Sequence, residues 1–359
     1  MPTMEKSPGA FAGDGAAAAA RSAAKAVWWT ANGLAARALT RPTKGENVRE
    51  FRSAAPAPSR SALRKAWMEA LAKDAADVRA GVYPLTETLA PPTHALNRAL
   101  DFLKDARAVD RRRRKGDGVE IKADPKTSSF PNYYRQNFHF QTDGWFSEDS
   151  ALRYEAQVEA LFSGAAGAMR RRALSLLAKA LVDADQRELR IMDAACGAGA
   201  FLSDLKATFP RAQVFGADLS EAYLSVAKGR SGAPCVQTNL EHTPFADASF
   251  DAITCIYLFH ELPPRIRPVI AQEFARLLKP GGVLAFADSI QASDAPELAR
   301  LLDAFPVFFH EPYYSTYQEL DLTELFASVG LVEVAADQAF LTKARLYKKP
   351  KVSGVAEEG

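Results

Sequence analysis

The chain has 359 residues, enough for one large or two modest domains, and its 48% hydrophobic and 25% charged content is that of a soluble globular protein. Its 45 basic and 43 acidic residues leave a formal net charge of +2, so no global electrostatic pull on nucleic acid is expected. No apolar run approaches the roughly 18–20 residues of a membrane span, and Cys196, Cys235 and Cys255, odd in number and widely spaced, suit a reducing compartment and give neither a disulfide framework nor a metal-ligand pattern, so no metal is expected.

Residues 1–60 are rich in Ala, Gly, Arg and Ser and hold four acids, Glu5, Asp14, Glu46 and Glu50. Two readings stand: an organelle transit peptide, which would direct the chain to a chloroplast or mitochondrion, or an ordinary flexible tail on a cytoplasmic protein. Trp28-Trp29 argues against a purely disordered leader, because large aromatics seek burial or an interface. Over 61–104, Leu63, Ala66, Trp67, Ala70 and Leu71 recur at helical spacing. Pro84 and Pro91-Pro92 should break this stretch into short helices. Residues 110–116, Asp-Arg-Arg-Arg-Arg-Lys-Gly, form the densest charge in the chain: either a site for an anionic partner or a solvated helix end or loop. Residues 117–132 read as a loop. Tyr133-Tyr-Arg-Gln-Asn-Phe-His-Phe-Gln-Thr-Asp-Gly-Trp-Phe146 is dense in aromatics and amides, a combination that can cover a planar ligand or tie the 61–146 region to the core.

The region 147–349 has the pattern of one α/β domain, followed by a tail at 350–359. Two helices are expected over 147–183. Strands are expected near 189–195, 212–217, 233–238, 250–257 and 282–288, with helices near 199–208, 220–229 and 265–278, the last opened by Pro264. Apolar strands alternating with helices imply a parallel sheet. An insert follows Asp288, and strand-like runs at 331–335 and 339–347 close the domain.

Leu-Arg-Ile-Met-Asp-Ala-Ala-Cys-Gly-Ala-Gly at 189–199 reads as a buried strand, a Gly-x-Gly turn and a helix start, and Asp218 ends the next strand. This is the layout of a nucleotide-binding βαβ unit. The third small residue of a dinucleotide fingerprint is replaced by Leu202, and Asp193 precedes the first glycine by four positions. A carboxylate there repels a pyrophosphate and suits a cationic ligand. S-adenosylmethionine (SAM) carries an ammonium and a sulfonium and no phosphate.

Asp193-Ala-Ala-Cys-Gly-Ala-Gly199 resembles the first motif of the class I SAM-dependent methyltransferases. Gly-Ala-Asp218-Leu-Ser, the segment Asn239 to Asp251, and Leu278-Lys-Pro-Gly-Gly-Val-Leu284 resemble three further motifs in the family's order. Phe259-His-Glu-Leu-Pro263 and Lys279-Pro-Gly-Gly282 are most similar to the branch containing quinone and sterol C-methyltransferases. The resemblance covers roughly 150–347. It implies a Rossmann-like, seven-stranded, mostly parallel sheet with helices on both faces, here with a helical N-terminal extension.

It also implies SAM as cofactor. Gly197 and Gly199 would admit the amino acid part of SAM, with Ala195 in the same turn, and Asp193 would act near its ammonium. Asp218 would accept from the ribose hydroxyls, and Leu219, Asn239 and Leu240 would meet the adenine. Tyr257 leaves the fourth strand at the same edge. For the acceptor, the candidates are His260 and Glu261 after the fourth strand and His310 and Tyr313 in the insert, where Glu311 and Tyr314 also cluster; His139 is a third histidine of interest.

The fourth strand lacks the Asn/Asp-Pro-Pro-aromatic motif of DNA and protein amide N-methyltransferases, and no RNA-binding module is recognisable. A small-molecule acceptor, lipophilic in part, is the leading expectation. RNA or protein docking through Arg111–Lys115, and a non-catalytic SAM-binding partner protein, are the alternatives. The oligomeric state is not legible.

Overall fold

The computed structural model describes residues 15–40, 51–86 and 92–351. Residues 1–14 and 41–50 of the N-terminal segment, 87–91 with Pro91, and 352–359 of the tail lie outside them.

Among the described residues three helices come first, α1 (Gly15–Leu39), α2 (Arg60–Arg79) and α3 (Pro92–Lys115). α1 occupies a segment for which the sequence suggested a leader or a flexible tail; an alanine run has the highest helix propensity, whatever else its composition resembles. Gly164 lets the following region approach α1 closely, since a Cβ there would lie 2.8 Å from Ala26 Cα. α2 and α3 are longer than the short helices expected, and α3 runs through the basic cluster. Arg112 donates to Glu120 at 2.7 Å, Arg113 to the Phe308 carbonyl at 2.7 Å, and Arg114 pairs with Asp110 at 2.6 Å. These three arginines are spent within the protein.

Next come α4 (Glu148–Leu161) and α5 (Ala166–Ala180), then β1 (Arg190–Ala194), α6 (Ala200–Thr208), β2 (Gln213–Asp218), α7 (Glu221–Ser231), β3 (Cys235–Gln237), β4 (Phe250–Ile256), α8 (Arg267–Leu277) and β5 (Leu278–Ser289). The insert holds α9 (Ala299–Phe308), α10 (Tyr314–Gln318) and α11 (Leu322–Ser328), and the hairpin β6 (Val332–Ala339) and β7 (Thr342–Lys348) ends the fold. The sheet order is β3-β2-β1-β4-β5-β7-β6. β1 to β5 are parallel and β7 is antiparallel to both neighbours. This is the expected seven-stranded Rossmann-like α/β architecture. Pro268, near the start of α8, opens that helix, where the sequence pointed to Pro264; the chain first turns through 263–266.

Side chains alternate across the sheet with period two. Ile191, Ala252, Val283 and Ala285 face Leu174, Leu177, Leu202 and Leu205. Met192, Ile253, Leu284 and Phe286 face Ile270, Phe274 and Phe326. The strands are therefore apolar on both faces, as a helix-covered parallel sheet requires. Strand order reverses between β1 and β4, so a crevice opens at their C-terminal ends. All three cysteines are free thiols. No helix among the described residues is long and apolar enough to cross a membrane.

α2 docks on α5 through a buried polar network. Arg171 Nε and Nη2 each donate to Asp74 at 2.7 Å, and the Tyr83 hydroxyl donates to Asp74 at 2.8 Å. Arg172 donates to the Tyr83 oxygen at 2.7 Å and to Asp77 at 2.9 Å. Asp74 is 1% and Arg171 3% exposed. Asp74→Ala should lower stability to chemical denaturation by about 3 kcal/mol, because the guanidinium stays buried without its main partner, and adding Arg171→Met should recover part of the loss. An unchanged denaturation midpoint for Asp74→Ala would remove this network as the joint between α2 and the core.

Candidate functional site

The loop after β1 is built on left-handed residues: Ala195 (φ 56°), Gly197 (φ 53°) and Gly199 (φ 77°). The two glycines do different work. A Cβ on Gly199 would lie 2.7 Å from Ala227 Cα, so this glycine lets α6 pack on α7, whereas a Cβ on Gly197 would meet nothing within 4 Å. Asp218, at the end of β2, fixes the loop: one oxygen accepts from the Gly197 N–H at 2.8 Å and the other from the Ser220 N–H at 2.8 Å. Burial pushes the Asp218 carboxyl up, and these backbone donors pull it back.

These elements line one wall of a cavity of about 1140 Å³, its solvent-open mouth included. Every residue expected to hold the cofactor lies on it: Asp193, Ala195, Gly197, Asp218, Leu219, Asn239, Leu240 and Tyr257, with Gly199 supporting the loop from behind. Asp193 is 1% exposed. Its Oδ1 accepts from Thr254 at 2.6 Å, while its Oδ2 is buried with no hydrogen-bond partner. Burial raises the Asp193 pKa to about 7, against the Thr254 bond. A carboxylate so placed is a receptor for a cation. The Asn239 amide is turned onto Glu241, donating to Oε1 at 3.1 Å and accepting from its N–H at 3.0 Å, and Tyr133 donates to the same Oε1 at 2.7 Å.

The opposite wall comes from the N-terminal region. Tyr133, Tyr134, Phe138, Trp145 and Tyr154 line it, with the Arg170–Glu155 ion pair beside them. Trp145 is locked in place: its carbonyl accepts from Ser220 Oγ at 2.5 Å, and its ring meets Tyr223 edge-on at 5.3 Å. The aromatic segment thus sits over the C-terminal edge of the sheet. Arg170 is 8% exposed, and its Nε is buried with no acceptor. The sequence offered no reason to single out Arg170 or Glu155, since they lie on amphipathic helices one sheet layer away from the motif.

The four acceptor-side residues separate. Glu261 lies on the cavity wall. His260 is 6% exposed and turned away, its Nδ1 2.6 Å from Asp288 Oδ1; Asp288 Oδ2 also accepts from the Phe259 N–H at 2.9 Å. Burial opposes its charge, but Asp288 outweighs burial and holds the imidazole up to about 9. Its ring is thus held on Asp288 and lies off the cavity lining. His310 and Tyr313 are bridged by Gln136, whose Oε1 is 2.9 Å from His310 Nε2 and whose Nε2 donates to the Tyr313 hydroxyl at 3.3 Å. Both pack against the back of the aromatic segment, off the cavity lining. His139 and Glu311, neither of them on that lining, cluster with Glu261 behind it. His139 Nε2 is 3.3 Å from Glu311 and 3.9 Å from Glu261.

Residues 192–286, which hold this cavity's loops, match the family model of a methyltransferase domain. The chain carries a methyltransferase domain. A fatty-acid O-methyltransferase of Mycolicibacterium smegmatis is 32% identical to it over 39% of this chain and 51% of its own length. A ubiquinone/menaquinone biosynthesis C-methyltransferase of Methylobacterium nodulans is 32% identical over 43% of this chain and 62% of its own length. The chain spans about half the length of the curated relatives it matches first. A solved magnesium protoporphyrin IX methyltransferase from Synechocystis is similar at 15% identity and a TM-score of 0.40, covering 55% of this chain and 87% of that one. The N-terminal wall of the cavity lies outside the matched residues.

The two glycines of the domain give a test. Gly197→Ala should fold with a modest loss of about 1–2 kcal/mol for the left-handed backbone, yet lose ligand affinity because its methyl enters the open side of the loop. Gly199→Ala should destabilise more strongly, through backbone strain and the clash with α7. Thermal melts and ligand titrations of both variants check the order; equal stability losses would contradict it.

Proposed function

We propose that this protein is a SAM-dependent methyltransferase acting on a small-molecule acceptor that is lipophilic in part. One observation carries the reading: Asp193, with one oxygen that has no hydrogen-bond partner, lines the same cavity as the open-faced Gly197, Asp218 and Leu240. The ammonium of SAM would complete the hydrogen bonding of Asp193. Asp218 would keep its backbone donors and accept from the ribose hydroxyls with its remaining lone pairs. The adenine would lie between Leu219 and Leu240. In the transfer, the acceptor's nucleophilic atom forms a bond to the methyl carbon as the S–CH₃ bond breaks, leaving neutral S-adenosylhomocysteine. The protein's task is alignment and exclusion of water.

The lipophilic part of the proposal rests on a second cavity of about 1050 Å³ that shares Tyr154 with the first. Phe102, Val109, Val158, Leu161, Phe308 and Phe309 line it. The names of the relatives, acting on fatty acids and quinones, agree with an acceptor of this kind. Docking of RNA or protein through Arg111–Lys115 has less support, because three of those five cations are engaged within the protein.

Calorimetry with SAM and S-adenosylhomocysteine tests the reading. Asp218→Ala should weaken both by ten-fold or more, about 1.4 kcal/mol. No binding by the folded chain would end the methyltransferase proposal; tight binding with no turnover on any lipophilic acceptor would favour a non-catalytic partner protein.

The pH dependence follows from Asp193. Its protonated form is favoured in the folded protein, so its contribution to stability is present at low pH and is lost as pH rises through about 7. A cationic ligand needs the ionised form, so affinity should increase about 25-fold between pH 5.5 and 7.5. Asp193→Asn should bind more weakly and flatten the profile. A wild-type affinity independent of pH over this range would remove Asp193 from the ammonium site.

A further inference from the structure

We propose that His139, Glu261 and Glu311 form a binding site for a divalent transition-metal ion at the acceptor end of the cavity. The three come from separate segments: the turn within the aromatic region, the loop after β4 and the loop after α9. Their ligand atoms lie within 4.8 Å of one another. His139 Nε2 is 3.3 Å from Glu311 Oε1 and 3.9 Å from Glu261 Oε1. Donors bound to one ion at about 2.0–2.2 Å stand roughly 3.0–3.5 Å apart, so the first pair already has a suitable spacing and the second needs a small side-chain rotation.

The independent observation is Glu311. It is 2% exposed, and both its carboxylate oxygens are buried without a hydrogen-bond partner. A second carboxylate, Glu261, faces the same point, and burying such groups without compensation costs several kcal/mol per ion. Aromatic rings crowd the site: those of Trp145, Tyr154, Phe305 and Phe309 lie 6.1–6.3 Å from the His139 ring. His139 itself is held at φ 55°, a conformation that a non-glycine residue keeps only where its surroundings demand it. One imidazole and two carboxylates are the donor set of zinc, manganese or iron(II) rather than of calcium or magnesium. Three protein ligands also leave coordination positions open. Glu261 reaches the cavity wall, so an open position would face the acceptor and suit an oxygen-bearing group; this last role rests on the methyl-transfer reading, the metal site does not.

The test is calorimetric titration of the chelator-treated full chain with ZnCl₂ and, separately, MnCl₂, without SAM. Saturable binding of one equivalent is expected. His139→Ala and Glu311→Gln should each weaken it by ten-fold or more, with circular dichroism confirming that both variants fold. ZnCl₂ should raise the melting temperature of the wild type and not that of Glu311→Gln. Failure of a folded wild type to bind either ion would overturn the proposal and leave the two carboxyls sharing a proton; so would binding that survives both substitutions. Titration of the same samples with S-adenosylhomocysteine separates this failure from failure of the cofactor site.

Discussion

Carboxylates withdrawn from water at the C-terminal edge of the sheet are the constraint on which this site is organised. Asp218 and Asp288 are compensated from within: the first by two backbone N–H groups, the second by His260 and further backbone donors. In being satisfied, they fix the loops after β1, β2, β4 and β5. Asp193 is half satisfied, through Thr254, and Glu311 accepts no hydrogen bond. The first pair shapes the site; the second pair leaves a demand for positive charge that a ligand can meet. In a low dielectric such a demand is strong enough to select a ligand's charge as well as its shape.

The N-terminal region makes that low dielectric possible. Without it, the edge of an open α/β sheet faces solvent. Here the segment around Trp145, pinned by Ser220 and Tyr223, closes over the crevice, while α1, α3 and α4 extend the apolar lining beyond it. Salt bridges as well as apolar contacts join α2 to α5, as the buried pairing of Asp74 with Arg171 shows. Joints of this kind are geometrically demanding, because each donor must be matched.

The fold was legible where local patterns decide it. Continuous apolar runs such as Ile191-Met192 and Ala252-Ile253 give strands buried on both faces, and the glycine turn with Asp193 and Asp218 marks the ligand edge. α1 was not legible, because an alanine-rich stretch carries the same composition in a leader, a tail and a helix. Pro264 was a weaker guide than Pro268, because the chain needs an extra turn after β4 before its helix can lie on the sheet. The acceptor side was the least legible part. His139, Glu261 and Glu311 lie more than a hundred residues apart from first to last, and only the closure of the aromatic segment and the insert brings them together. His310 and Tyr313 sat in the right motif but on its outer side; Gln136 draws both toward the aromatic segment and leaves Glu311 pointing inward. No local signal distinguishes these directions.

The most direct measurement is a crystal structure of the full chain grown with S-adenosylhomocysteine at neutral pH. The account requires the ligand's ammonium within hydrogen-bond distance of Asp193, directly or through one water, its ribose on Asp218, and its sulfur directed toward Glu261. A ligand bound elsewhere, or one in this cavity with its amino group away from Asp193, would contradict the claim that the unsatisfied carboxylate at the end of β1 selects the cofactor.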